Sequence, residues 1–260
     1  MQTLRVLAGS AAVGVCLGHY AHAQVAAPDS AFLATARTLA EQRYTAAIRD
    51  QSKLYNGSEY FNYTRYYQEV TGDQFFISAQ EAPNGTVDYD GQVYTAVPLL
   101  YDIRLDQVVV KQPTSSFYLQ LISERVRQFS LHGHTFVRLV RDSTVSQDVR
   151  PGFYDLLLDQ SGVRVLARRT KKMQTQPSQG ITRAEFYPYT YYFIELNNAY
   201  HSVKSKGSVI SLFPAQRKAL QQFARDRRLA FTKETREADI LQLVSYYAGL
   251  PGANSPGAAR

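Results

Sequence analysis

Between residues 54 and 213 the chain never sustains the 3.6-residue period of a helix. It runs instead as short segments rich in Val, Ile, Tyr, Phe and Thr, the residues that suit a pleated, half-buried surface. Turn dipeptides punctuate them: Asn56-Gly57, Asn84-Gly85, Asp90-Gly91, Ser161-Gly162 and Asn197-Asn198. The runs fall at residues 92–102, 107–112, 117–122, 125–131, 135–140, 153–158, 163–169, 185–196, 200–204 and 209–213. Arg104-Leu105-Asp106 forms a tight link between the first two. Parallel strands need long crossovers, and no helical segment is available to supply them. The expected fold is therefore mainly β (α+β), an antiparallel meander built as a curved sheet, either sandwich or half-barrel.

Helical signals flank this block. Ser30 reads as an N-cap, with Leu33, Ala36, Ala40, Tyr44 and Ala47 at helical spacing, so one helix is expected over residues 30 to 50. Pro214 suits a first helical position ahead of Leu220, Phe223 and Ala224. Thr232 or Thr235 caps a last helix bearing Ile240, Leu241, Val244 and Tyr247. The predicted organisation is a leader at 1–23, an N-terminal helix within 24–53, a β domain at 54–213, a helical pair at 214–248 and a disordered tail at 249–260.

The leader has the three parts of a secretory signal in order: basic MQTLR, an apolar run over residues 6–18, and Ala21-His22-Ala23 before Gln24. That run is shorter than the roughly 20 residues a membrane span needs. Lipidation at Cys16 is the rival reading, disfavoured by Val15, because a small residue is wanted before the cysteine. Cys16 is the only cysteine, so the remainder has no disulfide, thiolate metal site or cysteine nucleophile. No later segment is apolar and long enough to span a bilayer. An exported protein is expected, periplasmic or associated with the outer membrane. Arg5 is the only charged residue of the leader, so its removal takes the net charge from +7 to +6. The address argues against nucleic acid as partner and for an envelope ligand (lipid, glycan or protein), with peripheral contact to anionic surfaces.

Four spots could carry chemistry. In LHGHTF, His132 and His134 are two residues apart and could chelate a metal if they shared a strand face. A catalytic zinc wants a third ligand, and the only other histidine past the leader is His201. A hairpin turn at Gly133, with Phe129 and Leu131 before it and Phe136 and Leu139 after, explains the same residues. TVDYDGQ matches a calcium loop at Asp88, Asp90 and Gly91 but has Thr86 at the first position and Val97 at the twelfth, so an Asp-Gly turn is the better account. Asp102 and Asp106 could form an acid/base pair, though across a tight link such residues usually satisfy turn amides or pair with Arg104.

The fourth spot joins two segments. RVLARRTKK places Arg164 and Arg168 on one strand face, as a rib for phosphate or carboxylate or as protection of a sheet edge. FYPYTYYF places Tyr187, Tyr189 and Tyr191 on one face, opposite Phe186 and Tyr192, as a stacking platform for a sugar or another flat ligand. The three N-x-S/T sequons, at Asn56, Asn62 and Asn84, are discounted beside a bacterial-type leader. There is no GxSxG, HExxH, P-loop or dinucleotide fingerprint, and no cofactor is called for.

LYNGSEYFNY, YDGQVYTAVPLLYDIRLDQVVV, FYDLLLDQSGVRVLARRTKK and LQLVSYY resemble segments of uncharacterised exported proteins of Bacteroidota-type bacteria. The resemblance spans residues 50 to 248 and implies an envelope location and a helix–meander–helix order, with no activity and no functional residues. A looser likeness to periplasmic lipoprotein carriers rests on architecture alone. The leading expectation is a noncatalytic binding or structural protein acting through a curved, aromatic-rich sheet. The alternatives are a metal-dependent or hydrolytic enzyme centred on His132 and His134, and an outer-membrane β-barrel.

Overall fold

A computed structural model describes residues 30–48, 53–78, 82–140, 149–178 and 181–251. The segment read as a leader, with Cys16 and Ala23, and nearly all of the tail lie outside the described residues. The chain divides into two units, Met1–Ala47 and Ile48–Arg260. In the first, helix α1 (Ser30–Ile48) forms where the spacing predicts it. Its stripe residues Leu33, Ala36 and Ala40 are exposed, as are Phe32 and Leu39.

The second unit holds one large antiparallel sheet with a single parallel addition. Its strands are β1 (Ser58–Glu59), β2 (Glu69–Thr71), β3 (Asn84–Tyr89), β4 (Gln92–Asp102), β5 (Gln107–Lys111) and β6 (Tyr118–Gln120). They continue as β7 (Val126–Leu131), β8 (His134–Leu139), β9 (Gly152–Gln160), β10 (Val163–Ser178), β11 (Ile181–Leu196) and β12 (Ala199–Val203). The strand order is β1-β6-β5-β4-β3-β7-β8-β9-β10-β11-β12, with β2 added to β11, and the sheet does not close. The last segments are α2 (Lys206–Ile210), α3 (Arg217–Asp226) and α4 (Arg236–Ala248). No helix among the described residues is long and apolar enough to cross a membrane.

Of the sandwich and half-barrel alternatives, the strands form the second, left open. The Tyr101 ring on β4 meets Phe129 on β7 at 5.0 Å, Phe136 on β8 at 4.9 Å and Phe153 on β9 at 6.0 Å. Three strands separate β4 from β9 in the sheet order, so these contacts require the sheet to curl. The rings fill the inner face at this end, each buried ring contributing about 1.5–3 kcal/mol. At the other end the same face carries Val163, Val165 and Ile194, and the C-terminal helices cover it with Leu220, Ile240 and Leu243. The outer face has its own smaller cluster of Leu139, Val149, Tyr154, Leu166 and Phe193.

Four two-residue hairpin turns have both central residues at positive φ: Asp90-Gly91, His132-Gly133, Ser161-Gly162 and Asn197-Asn198. This geometry matches the twist of the flanking strands. Asn84-Gly85 is not a turn. It opens β3, where a Cβ on Gly85 would meet the Ser130 carbonyl oxygen at 2.5 Å and the Leu99 side chain at 2.7 Å. The glycine answers close approach rather than reversal. The run at 209–213 is likewise not a strand. Ser205 and Ser208 form a capping box that starts α2 just after β12, and Val209 and Ile210 bury from helical positions.

Candidate functional site

The turn reading of LHGHTF describes what forms. His132 takes φ 51° in the turn and is exposed, while His134 opens β8 and faces inward. Nδ1 of His134 lies 2.8 Å from Asp155 Oδ2, and its ring meets Phe76 edge-on at 5.0 Å. The two histidines therefore do not converge, and His201 sits on β12 opposite Ile194. Among the described residues no group of three His, Cys, Asp or Glu side chains could hold a metal.

His134 belongs to a seam between the aromatic and helix-covered ends of the inner face. Arg169 Nε donates to Asp155 Oδ2 at 2.7 Å, and its two terminal nitrogens reach the two oxygens of Glu237 on α4 at 3.0 Å each. Tyr192 donates to Glu237 at 3.1 Å. Burial alone would lower the Arg169 pKa. The Glu237 hydrogen bond and the charges of Asp155 and Glu237 outweigh it, and the net shift is upward. Burial, together with the Glu237 charge, pushes the Tyr192 hydroxyl up to about 12. A carboxylate–histidine contact can orient a general base, but a nucleophile must stand within reach. Among the described residues His134 meets Asp155 and the rings of Phe76 and Phe136, which ties β8 to β9 on the inner face.

Asp102 and Asp106 serve separate groups. Asp102 Oδ1 accepts from the Arg104 and Leu105 amides at 2.9 Å each, and Oδ2 accepts from Tyr60 at 2.7 Å. Asp106 accepts from Tyr101 at 2.6 Å and from the Phe153 amide at 3.3 Å, closing the β4–β5 link onto β9. Burial raises both carboxyl pKa values. Of the calcium-template residues, Asp88 is claimed by Arg127 and Asp90 by Lys53.

All five candidates on the β10–β11 hairpin share the outer face, because its register pairs Arg164 with Glu195, Arg168 with Tyr191, Thr170 with Tyr189 and Lys172 with Tyr187. Arg164 lies in the part of β10 paired on both sides, so it protects no edge. It is held by Glu195 at 2.8 Å and Asp159 at 3.5 Å. Arg168 lies beyond the last β9 pair. It stacks over Tyr154, hydrogen-bonds its hydroxyl at 3.3 Å and stands 3.7 Å from Asp106. What stays open is the distal end. Tyr189 and Tyr191 are 40% and 42% exposed, and Lys172 Nζ lies 4.8 Å from the Tyr189 ring centroid. Lys172 is the cation of this strip, legible only once the register pairs it with the tyrosines.

No family model matches the chain, and no curated protein or solved structure is significantly similar to it.

Proposed function

We propose that this is a noncatalytic binding protein of the cell envelope, exported to the periplasm or the outer-membrane surface, that holds an acidic glycan on the outer face of the β10–β11 hairpin. The carrying observation is the exposed row of Tyr189 and Tyr191 beside Lys172, on a strand pair whose other face gives Val163, Val165, Ala167, Tyr192 and Ile194 to the core. Large apolar rings kept at a surface mark contact sites, and a cation over a ring adds a charge to meet a carboxylate. The filled inner face weighs against an acyl chain under the sheet as the ligand. The leader pattern and the net positive charge agree with an anionic partner outside the cytoplasm.

Affinity electrophoresis in gels containing polygalacturonate tests the reading. The protein is expected to be retarded, less so at high salt, and Tyr189→Ser or Lys172→Gln should each weaken binding about tenfold, or about 1.4 kcal/mol. Equal retardation of both variants and the parent, or none at all, overturns the proposal.

A further inference from the structure

The edge of β11 away from β10 is covered in two places, by β12 over Tyr192–Leu196 and by β2 over Arg183–Glu185. Between them, residues 186–191 pair with no second strand among the described residues. Pro188 stands in this gap, and it has no N–H with which to recruit one. Where the gap meets β12 it opens into a cavity of about 140 Å3 whose lining includes Thr190, Tyr191, Tyr192, Ser202, Lys204 and Arg236.

The charges around this notch do not balance. Arg236 is fixed at the start of α4, which is anchored through Ile240, Leu243 and Val244. Its Nε is shut off from solvent and has no hydrogen-bond partner. A buried N–H without an acceptor is destabilising, more so on a charged group. Neither Lys204 Nζ nor the Arg236 guanidinium is ion-paired among the described residues. The neighbouring Glu237 is already neutralised by Arg169 and bound by Tyr192. Glu234, near in sequence, is exposed and bonded to Thr232, and it feels the Arg236 charge without forming an ion pair with it.

We infer that the notch binds a phosphate group, held by Arg236 and Lys204 with the Thr190 hydroxyl, which the register places on the same face of the sheet as α4. Guanidinium and ammonium groups are donors only, and a tetrahedral oxyanion is the group with enough acceptors to engage both together with a hydroxyl. The cavity holds a few waters at about 30 Å3 each, and it is below the about 300 Å3 at which drug-sized pockets begin. It therefore takes the head of a phosphate monoester and leaves the remainder outside, beside Tyr191. The notch adjoins the glycan strip at Tyr191, but the groups that hold the phosphate, Arg236, Lys204 and Thr190, are not part of that strip.

The test titrates inorganic phosphate into the whole protein, at constant ionic strength held with chloride, and follows the Arg236 Nε–Hε resonance and the heat released. Saturable binding is expected, about tenfold weaker in both Arg236→Gln and Lys204→Gln and unchanged in Tyr189→Ser, which affects only the strip. A parallel arm floats the protein with vesicles containing phosphatidic acid or phosphatidylcholine alone. Binding to inorganic phosphate assigns a soluble phosphate ligand. Binding only to phosphatidic acid, lost in Arg236→Gln, assigns a lipid headgroup at the same site. No binding in either arm, or binding that survives both substitutions, overturns the inference. Lys204 is exposed, and its side chain forms no ion pair among the described residues, so its variant keeps the test decisive if Arg236→Gln misfolds.

Discussion

Replacing Arg169 with Met should destabilise the sheet unit more than any other single change in its polar seam. Arg169 is 15% exposed and makes two hydrogen bonds and one further ion-pair contact to two carboxylates, of which Asp155 is 1% exposed. Asp155 Oδ1 already lacks a partner, so removing the guanidinium leaves a buried charge supported only by His134. Breaking a buried pair in this way costs about 3–5 kcal/mol, because the surviving charge stays out of water. A domain has about 5–15 kcal/mol in all. With a urea slope of about 2 kcal/mol/M, the unfolding midpoint should fall by about 1.5–2.5 M. Far-UV dichroism or tyrosine fluorescence reads the transition, since the chain has no Trp. Amide exchange in α4 should quicken most, because Glu237 loses its tie to β10. The double variant Arg169→Met/Asp155→Leu should recover much of the loss, as no buried carboxylate then remains. A midpoint shift below about 0.3 M, or a double variant no more stable than the single, would refute the account.

Two further outcomes concern the fold. Burial raises the Asp106 carboxyl pKa above its ordinary 3.8, so the folded state holds that proton more tightly than the unfolded chain. Its contribution is full below the ordinary pKa and is lost as pH rises through the folded value. Asp106→Asn, which still accepts from Tyr101, should therefore flatten the fall of stability with rising pH in the acid range, and parallel curves for variant and parent would rule this out. Ser205→Ala removes the side-chain half of the capping box of α2 and should cost about 1 kcal/mol in urea unfolding, with no loss if the chain reverses there without the cap.

The strands of the meander were legible where alternation and turn chemistry agreed. Residues 92–102 match β4 to the residue, and three of the four hairpin turns were marked by their dipeptides. Where a local signal had two physical causes, sequence alone chose wrongly. A glycine admits either a reversal or the close approach of another backbone, and at Gly85 the second cause is a carbonyl on β7, 45 residues away. The run at 209–213 has strand-like residues, but its conformation is set by the serines before it. The seam was invisible for a related reason. Asp155, Arg169, Tyr192 and Glu237 lie on four separate elements with no spacing that links them, so only the curl and the seating of α4 bring them together.

The proposed strip is legible in part, because its tyrosines need only one strand period while its lysine needs the hairpin register. Alternation alone puts Tyr187, Tyr189 and Tyr191 together, and one hairpin register adds Lys172 and Arg168. That same alternation divides the work of the hairpin. Arg169 and Tyr192 turn inward to the seam, while their neighbours Arg168, Thr170 and Tyr191 turn outward. A one-residue slip of β10 against β11 would exchange the two sets, burying Lys172 and exposing Arg169. The seam's hydrogen bonds from Arg169 and Tyr192, with the second Arg169–Glu237 ion-pair contact, oppose that slip. The seam thus does for the surface what a hydrophobic face alone would do less firmly in so polar a strand: it holds the tyrosines and their lysine in one register and on the side that faces solvent.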